Sequence, residues 1–153
     1  MPGRPDSASG PAAWGELPLL VDTSAWARAH RPGIREPWIE VLRGDRLRLS
    51  PVVKMEILMS ARNGSSFDSL AEHLSALRVA PLTPSVLRSA EDAMRALAGR
   101  SDGAQRLPIV DYLVAAAAQE TGAAVIHYDR DYDLLAEIMS FESIWLSPPG
   151  SLP

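Results

Sequence analysis

Five carboxylates stand where carboxylates are costly. Asp22 closes the apolar run LPLLVD, and Asp129 and Asp131 follow the run AAVIHY. Two more acids fall on helix-like segments. Glu56 has Val52, Val53 and Met59 at helical spacing around it, and Asp111 has Val114 and Ala115. An ionised carboxylate beside an apolar stripe is expensive unless a partner compensates it. Brought together, such groups repel, and they hold their protons more tightly unless a cation intervenes. The chain has no cysteine, so the donors are hard oxygens and the matching cation is Mg²⁺ or Mn²⁺. Such an ion activates water and neutralises charge growing on a phosphoryl group. The set points to metal-dependent phosphodiester hydrolysis.

Each acid taken singly has a plainer reading. Asp22 can serve as a strand-end cap. Glu56 can reach solvent or pair with Arg62 or Lys54, and Asp111 suits the first turn of a helix by complementing its dipole. Asp133 reads as a first-turn acid of that kind and is set outside the site. The number of the acids and their order along the chain outweigh the single readings. Competing chemistries fit less well. Asp129, Asp131 and Asp133 match the first positions of an EF-hand loop, but Leu134 stands where glycine is needed and Ser140 where glutamate is needed. Phosphoaspartyl phosphatases need a second acid where Ser24 stands, and receiver domains need a late lysine, whereas the single lysine is Lys54. No glycine-rich phosphate loop occurs.

The positioning elements alternate. Apolar runs at 17–22, 46–50, 78–82, 123–128 and 141–146 read as strands. Between them lie helical segments. Ser24 is expected to cap the first, over 25–30, and Ser50-Pro51 to open the segment that carries Glu56. Ser66 is expected to begin the next, Thr83-Pro84 the long one, and Pro108 the alanine-rich one that stops at Gly122. Strand–helix alternation predicts a three-layer α/β/α sandwich around a mainly parallel sheet of four to five strands. Ligands in such folds bind beyond the carboxyl ends of the strands. Asp22, Asp129 and Asp131 lie there.

The 153 residues suit one domain, expected over 17–147. Residues 1–16, rich in Pro, Gly, Ser and Ala, read as a flexible extension, and 148–153 as a tail. The start lacks the apolar core of a secretion signal, and no run approaches the roughly 20 apolar residues of a membrane span. A cytoplasmic protein is expected. The net charge of −4 argues against a bulk nucleic-acid binder. Yet Arg28, Arg31, Arg35, Arg43, Arg46 and Arg48 lie close together, and Arg28, Arg31 and Lys54 are candidate RNA contacts.

The chain resembles the PIN-domain ribonucleases, and most closely the VapC-type toxins of bacterial toxin–antitoxin pairs. LLVDTSAW, the glutamate in SPVVKMEILMSARNG, and PIVDYLVAAAAQETGAAVIHYDRDYDLLAEI carry the resemblance, which spans Leu17 to about Trp145. It implies a three-layer fold, Mg²⁺- or Mn²⁺-dependent endoribonuclease activity, homodimerisation and neutralisation by a cognate antitoxin. Asp22, Glu56 and Asp111 match the first three metal-site acids. Asp129 and Asp131 both match the fourth, with Asp129 favoured because it lies nearer the strand end. Thr23 and Ser24 match the hydroxyls beside the first acid. No acid of the pattern is missing. The alternative is a non-catalytic module whose acidic pocket binds a basic protein partner.

Overall fold

In the computed structural model, residues 9–153 are described. Five strands form one parallel sheet: β1 (Leu19–Val21), β2 (Leu47–Leu49), β3 (Arg78–Val79), β4 (Ala124–His127) and β5 (Ser143–Trp145). Their order is β3-β2-β1-β4-β5. The central strands are buried along their whole length, as a sheet covered on both faces requires. Leu19 pairs with Leu47 on one side and with Ala124 on the other. The chain builds outward from β1 to β2 and β3, then returns to β4 on the other flank. The strand order therefore reverses between β1 and β4.

Helices cover the sheet in the three-layer arrangement expected: α1 (Thr23–Trp26), α2 (Arg35–Arg43), α3 (Pro51–Leu58), α4 (Gly64–Ser75), α5 (Pro84–Ala98), α6 (Ile109–Thr121) and α7 (Asp131–Ala136). α5 presents Val86, Ala90, Ala93 and Leu97 as one apolar stripe and packs on α6. α6 is buried through Val114–Ala118. Its small alanine side chains let it lie close to both α5 and β4. Gly122 ends it at φ 75°, a left-handed turn that a side chain would strain.

Some expectations are corrected. Asp22, not Ser24, caps α1, because its carboxylate accepts the Ser24 N–H at 3.0 Å; the helix is only four residues long. α4 begins at Gly64 under an Asn63 cap, and Ser66 is the reciprocal partner inside that capping box. Of the expected flexible extension, residues 1–8 lie outside the described residues. Residues 9–16 are packed onto the domain. Trp14 is 2% exposed, donates from Nε1 to the Leu146 carbonyl at 3.2 Å and meets the Trp38 ring edge-on. The Arg46 guanidinium secures this segment through the carbonyls of Trp14, Gly15 and Leu17. At the other end, Leu152 packs on the core and donates its N–H to the Tyr128 hydroxyl at 2.8 Å. Among the described residues, no helix is long and apolar enough to cross a membrane.

Candidate metal centre

The strand-order reversal brings the carboxyl ends of β1 and β4 side by side, and the acids gather there. Asp22 follows β1, and its N–H bonds the Ile126 carbonyl of β4 at 3.0 Å. Asp129 lies in the turn after β4, and Asp131 is the first residue of α7. The first turn of α6 delivers Asp111 from the adjacent layer. One oxygen each from Asp111, Asp129 and Asp131 lies within 4.8 Å of the others. Asp129 Oδ1 also accepts the Asp131 N–H at 3.0 Å, which fixes the turn. Asp111 is 6% exposed, and its Oδ2 is buried with no hydrogen-bond partner. A buried carboxylate oxygen without a donor is costly. Three converging hard oxygens and one orphan suit a divalent cation such as Mg²⁺ or Mn²⁺. Both candidates for the fourth acid therefore belong to the same cluster.

Asp22 and Glu56 stand outside that triad. Asp22 Oδ2 accepts the Ser24 N–H and a short hydrogen bond from the Ser24 hydroxyl, while Oδ1 accepts from the Tyr132 hydroxyl at 2.7 Å. Ser24 Oγ in turn accepts the Tyr128 N–H at 2.9 Å, which ties the start of α1 to the turn after β4. Glu56, half-buried on α3, accepts from the Thr23 hydroxyl at 2.8 Å. Thr23 and Ser24 thus orient the two outlying acids, one each.

Crowding shows in the proton affinities. The Asp111 carboxyl is pushed up to about 7, first by burial and then by the charges of Asp22, Asp129 and Asp131. Burial and the neighbouring Asp129 also raise Asp131. Tyr132 holds its proton well above the usual phenol range, because burial and the Asp22 and Asp111 carboxylates disfavour its anion. Burial drives His127 down to about 4 against the opposing pull of Asp133, Asp22 and Asp129.

Neutral His127 is wired into the site. Its Nδ1 accepts the Asp129 N–H at 3.1 Å, so Nε2 carries the proton and donates to Ser143 Oγ at 2.7 Å. Ser143 donates onward to Asp133 at 2.9 Å, and Trp145 Nε1 donates to the other Asp133 oxygen at 2.8 Å. Asp133 is therefore more than a first-turn charge: it anchors α7 to β5. Sequence reasoning missed the parts played by Tyr132, His127 and Ser143. The available signal was polar tips on residues that read as core.

The arginines of the group are engaged one by one. Arg28 donates to the Ser24 and Pro153 carbonyls and stacks on the Tyr128 ring at 4.7 Å. Arg43 pairs with Glu40, while Arg46 and Arg48 bond main-chain carbonyls. Arg31 buries its Nε without a partner, and Arg35 lines a groove with Trp26, His30 and Trp38. Lys54 lines a separate cavity of about 290 Å³ with Ser50, Leu74 and Val79. Of the candidate RNA contacts, Arg28 is the one bonded to residues beside the acids.

This sequence and fold match a known class. The PIN-domain family model covers residues 19–138, and the chain belongs to that family. Among its relatives, ribonuclease VapC18 of Mycobacterium tuberculosis is 36% identical over 135 residues, covering 88% of this chain and 98% of that protein. Ribonuclease VapC51 of the same organism is 34% identical, covering 89% and 98%. Among solved structures, the DNA-bound VapBC of Salmonella typhimurium aligns with a TM-score of 0.65 at 17% identity, over 84% of this chain and 97% of that one, a likeness of fold.

Proposed function

We propose that this protein is a VapC-type endoribonuclease toxin that depends on Mg²⁺ or Mn²⁺ and is neutralised by a cognate antitoxin. The observation that carries this reading is the Asp111–Asp129–Asp131 convergence around an orphaned carboxylate oxygen. The relatives named as ribonucleases match over nearly their whole length, which supports RNA as the substrate. In the reading, Asp111, Asp129 and Asp131 would hold the ion, which would supply charge neutralisation and an oriented water at an RNA phosphodiester. Asp22, oriented by Ser24 and Tyr132, and Glu56, oriented by Thr23, would complete the acid set that holds the metal. Arg28, stacked on Tyr128 and bonded to the Ser24 carbonyl, meets the RNA backbone. The toxin works as a homodimer in the cytoplasm.

The test uses the purified chain and a defined RNA. Cleavage is expected with Mn²⁺ or Mg²⁺, lost on chelation and lost in Asp111→Asn with the fold retained. Cleavage at the wild-type rate by Asp111→Asn sinks the site assignment. If the wild-type chain binds a basic partner yet never cuts RNA with either ion, the non-catalytic module is the correct reading.

A further inference from the structure

We propose that the Tyr132 hydroxyl is a positioning group of the metal centre, holding Asp22 and Asp111 at fixed separation before an ion arrives. The inference rests on the metal-site reading above. Two carboxylates that face each other repel, and a neutral donor between them offsets the repulsion. Tyr132 is fully buried and sits at that point: 2.7 Å from Asp22 Oδ1 and 3.3 Å from Asp111 Oδ1. A phenol has one hydrogen. The shorter contact is the donated bond, and the longer one confines Asp111, whose other oxygen has no hydrogen-bond partner.

The pin is itself held. The Tyr132 ring lies 4.9 Å from the His127 ring, at a 32° tilt. His127 is clamped between the Asp129 N–H and Ser143. Asp133, the next residue along, is bonded by Ser143 and Trp145. One turn of chain thus sends Asp131 to the acid triad, the Tyr132 hydroxyl to Asp22, and Asp133 to β5. The same hydroxyl occupies Asp22 Oδ1 while Ser24 occupies Oδ2. Both Asp22 oxygens are therefore held in place beside Asp111. Losing such an orienting hydrogen bond typically costs 10–100-fold in metal affinity.

The experiment titrates Mn²⁺ calorimetrically into the metal-free full chain, without RNA, and records melting with and without saturating Mn²⁺. Tyr132→Phe keeps the ring and removes the hydroxyl. Its Mn²⁺ affinity is expected to fall about 10-fold or more, and its Mn²⁺-induced rise in Tm to shrink. Tyr112→Phe is the control, because it deletes a buried hydroxyl bonded to the Gln105 carbonyl at 2.8 Å. It should lower Tm equally in both states and leave Mn²⁺ affinity unchanged. Tyr132→Phe behaving like the control overturns the inference. A second measurement does not depend on the variant's folding: in wild-type chain labelled with 3-fluorotyrosine, Mg²⁺ must shift the Tyr132 resonance, and an unmoved resonance also overturns it. A chain that binds Mn²⁺ but leaves RNA intact defeats the nuclease reading alone, whereas wild-type affinity in Tyr132→Phe defeats this inference alone.

Discussion

Asp111→Asn should make the metal-free protein more stable at pH 8, although it removes a residue of the proposed site. Asp111 in the folded chain holds its proton up to about 7, against an ordinary value of 3.8. Its folded-state affinity for the proton is raised. The associated stabilisation is therefore complete below pH 3.8 and is lost as pH rises through about 7. At about 1.4 kcal/mol per tenfold change in proton affinity, the full displacement is roughly 4 kcal/mol. Solvent reaching Asp129 and Asp131 screens part of it, which leaves on the order of 2–4 kcal/mol. Asparagine has the same shape and no charge to desolvate. At pH 8 without metal, the variant should melt about 4–16 °C above wild type, at roughly 2–4 °C per kcal/mol for a domain of this size. The difference should narrow steadily toward pH 5. Saturating Mn²⁺ should reverse the order, because only the wild type gains the free energy of binding. Thermal melting in chelator at pH 5, 7 and 8, repeated with Mn²⁺, reads all of this. A variant less stable than wild type at pH 8 in chelator would refute the claim that burial and the neighbouring acids disfavour the Asp111 carboxylate.

Two further outcomes follow from the same geometry. His127 is held neutral down to about 4, below its ordinary 6.5, so it contributes stability above 6.5 that is lost as pH falls toward about 4, roughly 3 kcal/mol in all. Asp111 gains over an overlapping window, so wild-type stability should stay nearly flat there while Asp111→Asn falls; parallel denaturation curves for the two proteins would rule out this opposition. Trp14→Ala empties a site that is 2% exposed and should cost about 3–5 kcal/mol by urea denaturation. An unchanged midpoint would mean that residues 9–16 do not dock as described.

The acids at the strand ends were legible because a buried parallel strand is a short apolar run, and the residue that stops it is conspicuous. Asp22 after LPLLV and Asp129 after AAVIHY are of that kind. Asp111 was legible because it interrupts an apolar helix start. Glu56 had the same local signature, yet it meets Thr23 and stays outside the triad, because spacing fixes the face of a helix but not its distance from another layer. Tyr132 and His127 were hidden for the opposite reason: in the sequence each is a plausible core residue, and only the packed site reveals what its polar atoms touch. Trp14 sits among Pro, Gly and Ala, where no periodic pattern can form, so its anchoring role depends wholly on contacts with Leu146 and Trp38.

The segment that Trp14 anchors also closes the sheet. Ser9 makes a parallel bridge to Trp145, and the Gly10 N–H bonds the Trp145 carbonyl at 3.1 Å, along the outer side of β5. At the opposite margin β3 is only two residues long, and Arg78 is tied to Asp45 at 2.7 Å. Neither margin offers a long row of free amides and carbonyls to a passing strand. Among the described residues, both margins of the sheet are thus short or covered, a poor template for strand-by-strand growth.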